Sequence, residues 1–344
     1  VNPSIGMECG AGGTGAMGVY LVPALAKMGY RVDVVSLDDV RSDNPAVCYL
    51  KADFKDDATV EGLLKNEYDC IVDFMIYNGI EFPRMYRRLV ENCGHYIYLS
   101  SYRIYANLEH PITERSPRLL DVSDDAEFLS ARDTEYSLYK AMGEDVLKSS
   151  GLHNWTAIRP AITFSKRRFQ LTTLEADTVV FRARAGKTVV LPEQAMEVQA
   201  TMSWAGDVAR MISRLVLNRD AYGEIYTVAT AEHNPWREIA EYYRRLIGLE
   251  YITVDKEDFL SCVTSGNRKP HRWQLEYDRL FDRIVDNRKI LNVTGIQQSE
   301  LTTVYDGLKR ELAALPADAF ADCAGNERNR LMDAYLASRG TRKS

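Results

Sequence analysis

The segment from Ile5 to Met28 constrains this chain more than any other. An apolar run, Ile5 to Cys9, leads into Ala11-Gly12-Gly13-Thr14-Gly15-Ala16-Met17-Gly18, and an amphipathic stretch from Gly18 to Met28 follows at once. A strand that turns on glycines directly into a helix is the opening of a βαβ unit suited to a dinucleotide. Gly12 suits the tight turn, Gly15 admits backbone N–H groups close to a pyrophosphate, and Gly18 allows the helix to pack on its strand. Thr14, Ala16 and Met17 complete the candidate cofactor loop, and the helix N-terminus adds partial positive charge.

The rest of the first half keeps the same rhythm. Val32 to Leu37, Cys70 to Met75, Tyr96 to Ser100 and Trp155 to Arg159 are short runs rich in Val, Ile or aromatic residues, as strands are. Between them Ala58 to Asn66, Phe82 to Asn92 and Glu135 to Ser149 place apolar residues three and four apart, as helices packed on a sheet do. The alternation predicts an α/β chain: a Rossmann-type doubly wound parallel sheet with a smaller mixed α/β C-terminal substrate lobe. After Arg159-Pro160 the rhythm breaks, so residues 1–164 are expected to form the NAD-binding domain. Residues 165–344 are expected to form mainly the substrate lobe, with segments near 203–230 returning to the first domain. In this second half the pattern predicts an extended run Thr188 to Leu191, a helix from about Trp204 to Leu217, and a strand around Ile225 to Ala229. Further helices are predicted from Pro235 to Ile247, with Pro235 in the first turn, and from Leu301 to Leu315, and then a charged tail that frays near Thr341.

The second predicted strand ends in Ser36-Leu37-Asp38, about 20 residues past the last glycine, where a carboxylate accepts hydrogen bonds from both ribose hydroxyls of an adenosine. A 2′-phosphate there meets like charge, which favours NAD over NADP, although Arg41 softens the repulsion. Asp53 follows a third short apolar run and reads either as an adenine contact or as a loop cap. Tyr136 and Lys140 stand four apart in a helical segment, so both project from one face. A phenol titrates near 10, and an adjacent ammonium favours its phenolate. Tyr136 can then take or give the proton of a carbinol while a nicotinamide takes or gives hydride.

These features, with Leu99-Ser100-Ser101 ending a strand and Arg159-Pro160, come in the order and spacing of the extended short-chain dehydrogenases/reductases. The chain resembles their NAD-dependent epimerase/dehydratase family over about 160 N-terminal residues. Gly206-Asp207-Val208-Ala209 and Asp286-Asn287-Arg288-Lys289 are more loosely similar to its C-terminal patterns. The resemblance implies that Ser101 helps hold the substrate oxygen, that Lys140 bonds the nicotinamide ribose, and that backbone near Phe74 and Met75 lines the cofactor. It also implies a homodimer.

Where the sequence departs from that family, it speaks to the substrate. Sugar-nucleotide 4,6-dehydratases carry an Asp-Glu pair after the catalytic Ser or Thr; here Tyr102-Arg103 stands in its place, so elimination of water lacks its acid and base. Members acting on sugar nucleotides often have Asn soon after Arg-Pro and Arg ahead of the later Gly-Asp motif. This chain has Ala161-Ile162-Thr163 and Gln199-Ala200-Thr201. Tyr102, Arg103 and the run Lys166-Arg167-Arg168 are the candidate substrate contacts, with guanidinium forks matched to a phosphate or carboxylate. The run reads equally as a solvated basic turn. Arg268-Lys269-Pro270-His271-Arg272 is a further basic cluster.

Forty-three Lys and Arg against 49 Asp and Glu give a net charge of −6, which disfavours nucleic acid as partner. Hydrophobic residues at 46% and charged residues at 27% are those of a globular chain. Six cysteines without C-x-x-C spacing read as reduced, mostly buried thiols, and neither they nor the five histidines suggest a metal site. Without an apolar span or an apparent leader, a cytoplasmic enzyme with a small-molecule substrate and no membrane partner is expected. The leading expectation is an epimerase that retains NAD and works on a sugar-nucleotide or other sugar-like, anionic carbinol through a transient ketone. A dehydrogenase or reductase with exchangeable NAD(P), and a non-catalytic nucleotide-sensing or RNA-binding protein on the same fold, are the alternatives.

Overall fold

The structure is a computed structural model that describes residues 3–8 and 15–341. Within the glycine loop, Gly12 and Thr14 lie outside the described residues. The chain divides into two compact units. Residues 1–163, 203–231 and 285–302 make the first, and 164–202, 232–284 and 303–344 the second. The return of 285–302 to the first unit is a crossing that the sequence pattern does not announce.

The first unit opens with strand β1 (Ser4–Glu8), helix α1 (Gly18–Lys27), β2 (Arg31–Ser36), β3 (Val47–Lys51), helix α2 (Asp57–Leu64), β4 (Cys70–Asp73), α3 (Glu81–Val90) and β5 (His95–Leu99). Two short helices, α4 (Leu119–Val122) and α5 (Ala126–Ser130), precede α6 (Tyr136–Ser149) and β6 (Trp155–Pro160). With the later strand Glu224–Val228 they form a seven-stranded sheet in the order Glu224–Val228, β6, β5, β4, β1, β2, β3. Every pairing in it is parallel. The strand order reverses between β1 and β4, so the carboxyl ends of these two strands flank the crevice where such sheets take ligands.

All residues of β4, β5 and β6 are buried, which is why apolar residues occupy both faces without alternation, and the polar ones among them, Asp73, His95, Thr156 and Arg159, are hydrogen-bonded inside. Successive residues serve opposite faces. Ile97 and Leu99 join Leu21, Leu25, Val208 and Ile212 in one core, while Tyr96 and Tyr98 join Phe82, Leu89 and Leu147 in the other. Each such aliphatic side chain taken from water contributes roughly 1.5–3 kcal/mol. His95 is built into this frame as a neutral ring. Its Nε2 meets the Thr156 hydroxyl at 2.8 Å and its Nδ1 accepts the Leu217 N–H at 3.1 Å, and burial pushes its pKa down to about 3.

In the second unit Val189–Pro192 pairs in parallel with Tyr251–Val254, and Gln199–Ala200 pairs antiparallel with Asn234–Pro235. Helices Ala176–Arg184, Trp236–Ile247, Lys256–Val263 and Val304–Ala313 pack around them. Pro235 stands just before its helix, at the cap, rather than in the first turn. The stretch expected as a charged tail is in fact helical from Glu327 to Thr341. Met332 is buried and Arg182, itself buried, reaches Asp333 at 2.8 Å, so particular contacts hold a helix that has little amphipathic pattern. Tyr242 and Tyr243 are buried, Tyr242 edge-on to Tyr305 with ring centres 5.2 Å apart. Among the described cysteines Cys70 and Cys262 are buried, Cys93 and Cys323 are half-buried, and Cys48, on the edge strand β3, is exposed, so fewer are buried than expected. No described helix is long and apolar enough to cross a membrane.

Candidate active site

Helix α6 begins at Tyr136. Glu135, at its N-cap, accepts the Ser137 N–H at 3.4 Å, which fixes where the helix starts and therefore where Tyr136 stands. One turn on, Lys140 is fully buried. A side chain at Gly143 would run into the Tyr98 hydroxyl, so glycine there is what lets α6 lie directly on β5. That close packing puts the Lys140 ammonium among the strand ends. It donates to the Leu99 carbonyl at 2.6 Å and the Met75 carbonyl at 3.4 Å, and lies 5.0 Å from the centre of the Tyr98 ring and 5.8 Å from that of Tyr136. Burial lowers its pKa to about 8, with the charge of Asp73 acting in the opposite direction.

Ser101 follows β5. Its hydroxyl oxygen accepts the Arg103 N–H at 3.2 Å and caps the single 3₁₀ turn Tyr102–Ile104. That turn sends Arg103 back over the Tyr136 ring, 5.1 Å from its centre, and onto Glu135 at 3.3 Å. Tyr102 is buried. The candidates Tyr136, Lys140 and Arg103 thus converge, and Ser101 anchors the turn that brings Arg103 in.

No protein-family model matches the sequence, and no curated protein sequence does. Solved structures do match. WbmH from Bordetella bronchiseptica, determined with NAD⁺, is 16% identical and superposes over 94% of this chain and 99% of its own with a TM-score of 0.65. UDP-glucuronic acid 4-epimerase from Bacillus cereus, determined with UDP-glucuronic acid and NAD, is 12% identical over 90% and 98%, with a TM-score of 0.66. DesIV, a dTDP-glucose 4,6-dehydratase from Streptomyces venezuelae determined with NAD and TYD, is 17% identical over 90% and 96%, with a TM-score of 0.67. The chain shares its fold with these structures. At these identities the likeness is one of architecture.

In this Rossmann-like fold the described cofactor candidates fall along the carboxyl ends of the strands. Gly15, Ala16 and Met17 lead into α1, whose cap position carries no side-chain hydrogen bond and whose first turn has no acidic residue. Its N-terminal dipole is therefore not offset by its own side chains. Gly18 is buried. Asp38 is exposed just past β2, with its N–H on the Ser36 hydroxyl at 3.1 Å. Phe74 and Met75 are buried just past β4. Asp53 is exposed and caps its own turn by accepting the Lys55 N–H at 2.9 Å.

The remaining substrate candidates lie in the second unit. Lys166 and Arg167 are exposed on a turn closed by Ser165 and Arg168, and Arg168 lies 3.6 Å from Glu175. Arg272, in the other basic cluster, lies 3.6 Å from Glu276. Sequence reasoning missed Asp73, Glu135 and Glu144. A carboxylate inside the apolar run Cys70 to Met75 was a signal for the first, and a Glu one turn beyond Lys140 for the last.

Proposed function

We propose that the chain is an NAD-dependent epimerase of the extended short-chain dehydrogenase/reductase type, acting on a sugar-nucleotide or other sugar-like, anionic carbinol through a transient ketone. The observation that carries this reading is the buried Lys140 ammonium beside Tyr136, at the carboxyl ends of a Rossmann sheet. The solved neighbours that hold NAD support it. The residues present also fit the cofactor. Leu37 and Ile76, 59% and 57% exposed just past β2 and β4, are large apolar side chains at the positions an adenine would cover. Gly15 to Met17 would meet the pyrophosphate, and Asp38 the adenosine ribose.

NAD, when bound, accepts and returns a hydride. Every other part of the chemistry falls to the chain. Tyr136 removes the carbinol proton, and the neighbouring ammonium favours the phenolate it needs. Ser101 offers its O–H to the same substrate oxygen, since the Arg103 N–H occupies only an acceptor site on that hydroxyl. Arg103 presents its guanidinium to an anionic group of the substrate. Glu135 caps α6 and pairs with Arg103, so no side chain at the Tyr102-Arg103 position serves as acid for loss of water. Epimerisation, which needs none, is the better match. The fold alone leaves room for a dehydrogenase with exchangeable cofactor.

The test is to denature freshly purified protein, with no cofactor added, and quantify the nucleotides released. Near-stoichiometric NAD⁺ plus NADH is the expected result. Empty protein that takes up NAD only on addition would replace the epimerase with an exchanging dehydrogenase, and bound NADP would overturn the reading of Asp38.

A further inference from the structure

Asp73 has no part in the reaction as drawn above, yet it is the one carboxylate in the wholly buried strand β4. One oxygen accepts the Met75 N–H at 2.8 Å and the other the Tyr96 hydroxyl at 2.5 Å. The carbonyl of that same Met75 takes the Lys140 ammonium. Asp73 and Lys140 therefore grip one residue from its two polar ends, and both are cut off from water.

We propose that Asp73 is a positioning residue for the Tyr136–Lys140 pair: its buried carboxylate is the fixed counter-charge that keeps Lys140 an ammonium and seats it on the Met75 and Leu99 carbonyls. This rests on the function proposed above. A buried ammonium held only by carbonyl dipoles tends to give up its proton, and a neutral amine does nothing for a phenolate. Among the described residues, the groups that face Lys140 leave Asp73 as its source of negative charge. From β5 come the Tyr98 ring and the Leu99 carbonyl, from the turn after β4 the Met75 carbonyl, and from α6 the Tyr136 ring with Arg103 above it. Glu144, one turn along α6, is taken up by Arg159 and the Ser100 hydroxyl. Asp73 in turn is faced by Tyr96 and Tyr77. Burial pushes its pKa up to about 6, and the Tyr96, Met75, Lys140 and Tyr77 interactions keep it from rising further. The N–H of Met75 and the hydroxyl of Tyr96 both donate to the Asp73 carboxyl, and hydrogen bonds of that sense favour its charged form.

The experiment follows the lysine and aspartate side chains of the full chain by carbon-13 NMR across pH, with the signals assigned from Asp73→Asn and Lys140→Met. Asparagine preserves the acceptor for Met75, and methionine fills the space of the lysine stem. Asp73→Asn should move the Lys140 midpoint down by about 1 unit or more. Linkage requires Lys140→Met to move the Asp73 midpoint up by a matching amount. Midpoints that stay where they were overturn the proposal. Should Asp73→Asn fail to fold, the Lys140→Met arm decides alone. In turnover assays, Asp73→Asn should shift the acid limb of kcat/KM for carbinol oxidation to higher pH, whereas a lower rate with an unmoved limb would make Asp73 merely structural and sink the idea. The two readings fail separately, because coupled midpoints in a protein that binds no NAD remove the proposed function and leave the pairing, while turnover with uncoupled midpoints does the reverse.

Discussion

Helix α6 carries two buried encounters between a cation and a carboxylate, one turn apart, and they are built on different plans. At the first, Arg159 forks onto Glu144 with bonds of 2.7 and 2.6 Å, and its remaining nitrogen reaches the Tyr105 hydroxyl at 2.7 Å and the Glu114 carbonyl at 3.0 Å. Burial works to lower the Arg159 pKa, but Tyr105 and Glu144 outweigh it and hold the guanidinium charged. At the second, Lys140 has two carbonyls, two aromatic faces and a counter-charge attached to the far side of Met75. There burial wins, and the ammonium is left near 8. A guanidinium with its fork filled is a strut. An ammonium with its counter-charge held off is a charge poised to respond, and it is the one that stands beside Tyr136.

The largest effect expected from this contrast is at the strut. Arg159→Ala takes from the buried Glu144 the guanidinium that fills both its oxygens and leaves it the Ser100 hydroxyl and an Arg118 guanidinium 3.9 Å away, and removing such a buried partner typically costs about 3–5 kcal/mol. Urea unfolding at pH 7 measures it, and a loss under about 1 kcal/mol would erase the distinction between the two sites. The Ser100 hydroxyl, which donates to Glu144 at 2.6 Å, is too weak an interaction to replace a guanidinium, and Arg118, 3.9 Å away, is already hydrogen-bonded to Asp145.

Lys140→Met should behave in the opposite way. The folded state depresses the Lys140 pKa from 10.5 to about 8, so the wild type has the full benefit of a neutral lysine above pH 10.5 and loses it as the pH falls towards 8. Methionine does not titrate. The stability of the wild type relative to Lys140→Met should therefore fall by roughly 3 kcal/mol between pH 10.5 and 8, and then level off. Denaturation curves for both proteins at several pH values test this, and a difference that stays flat across that window would show Lys140 to be as well satisfied as Arg159.

Most of the strands and helices of the first unit were legible because their signals are local. A strand, glycines and a helix in succession announce a βαβ start, and Tyr136 and Lys140 declare a shared face by their spacing alone. The pairing of Asp73 with Lys140 was not legible. Its members lie on β4 and α6, separated in the chain by α3, β5, α4 and α5, and only the parallel order β4 next to β5 brings them together. The helix Glu327–Thr341 escaped for a different reason. Its sequence is polar around most of the circumference, and what orders it is particular partners such as Arg182 on Asp333 rather than an apolar stripe. Asp53 was ambiguous in sequence because an exposed Asp in a turn caps its own backbone as readily as it meets a base.

The smallest effect is expected at a third kind of pair, and it marks the far end of the same scale. Arg168 and Glu175 are 3.6 Å apart with both side chains about two-fifths exposed, so water screens the attraction that burial leaves intact at Arg159. Arg168→Gln should change the unfolding free energy by no more than about 0.5 kcal/mol, and moderate salt should remove even that. A loss of 2 kcal/mol or more, on the scale of buried charged hydrogen bonds, would mean that the turn at Ser165–Arg168 is braced by this pair rather than by its own backbone bonds. Those bonds are reciprocal, Ser165 N–H to the Arg168 carbonyl at 2.9 Å and Arg168 N–H to the Ser165 carbonyl at 2.8 Å, and with the Ser165 hydroxyl accepting the Arg167 N–H at 3.1 Å and Glu311 accepting the Lys166 N–H at 2.6 Å they close the turn without the Arg168–Glu175 pair. A basic turn held in this way keeps its cations in water, where a mobile anion can be met at little cost in stability. Charge that braces a fold and charge that is free to meet a ligand are thus separated in this chain by burial and by how completely each fork is filled.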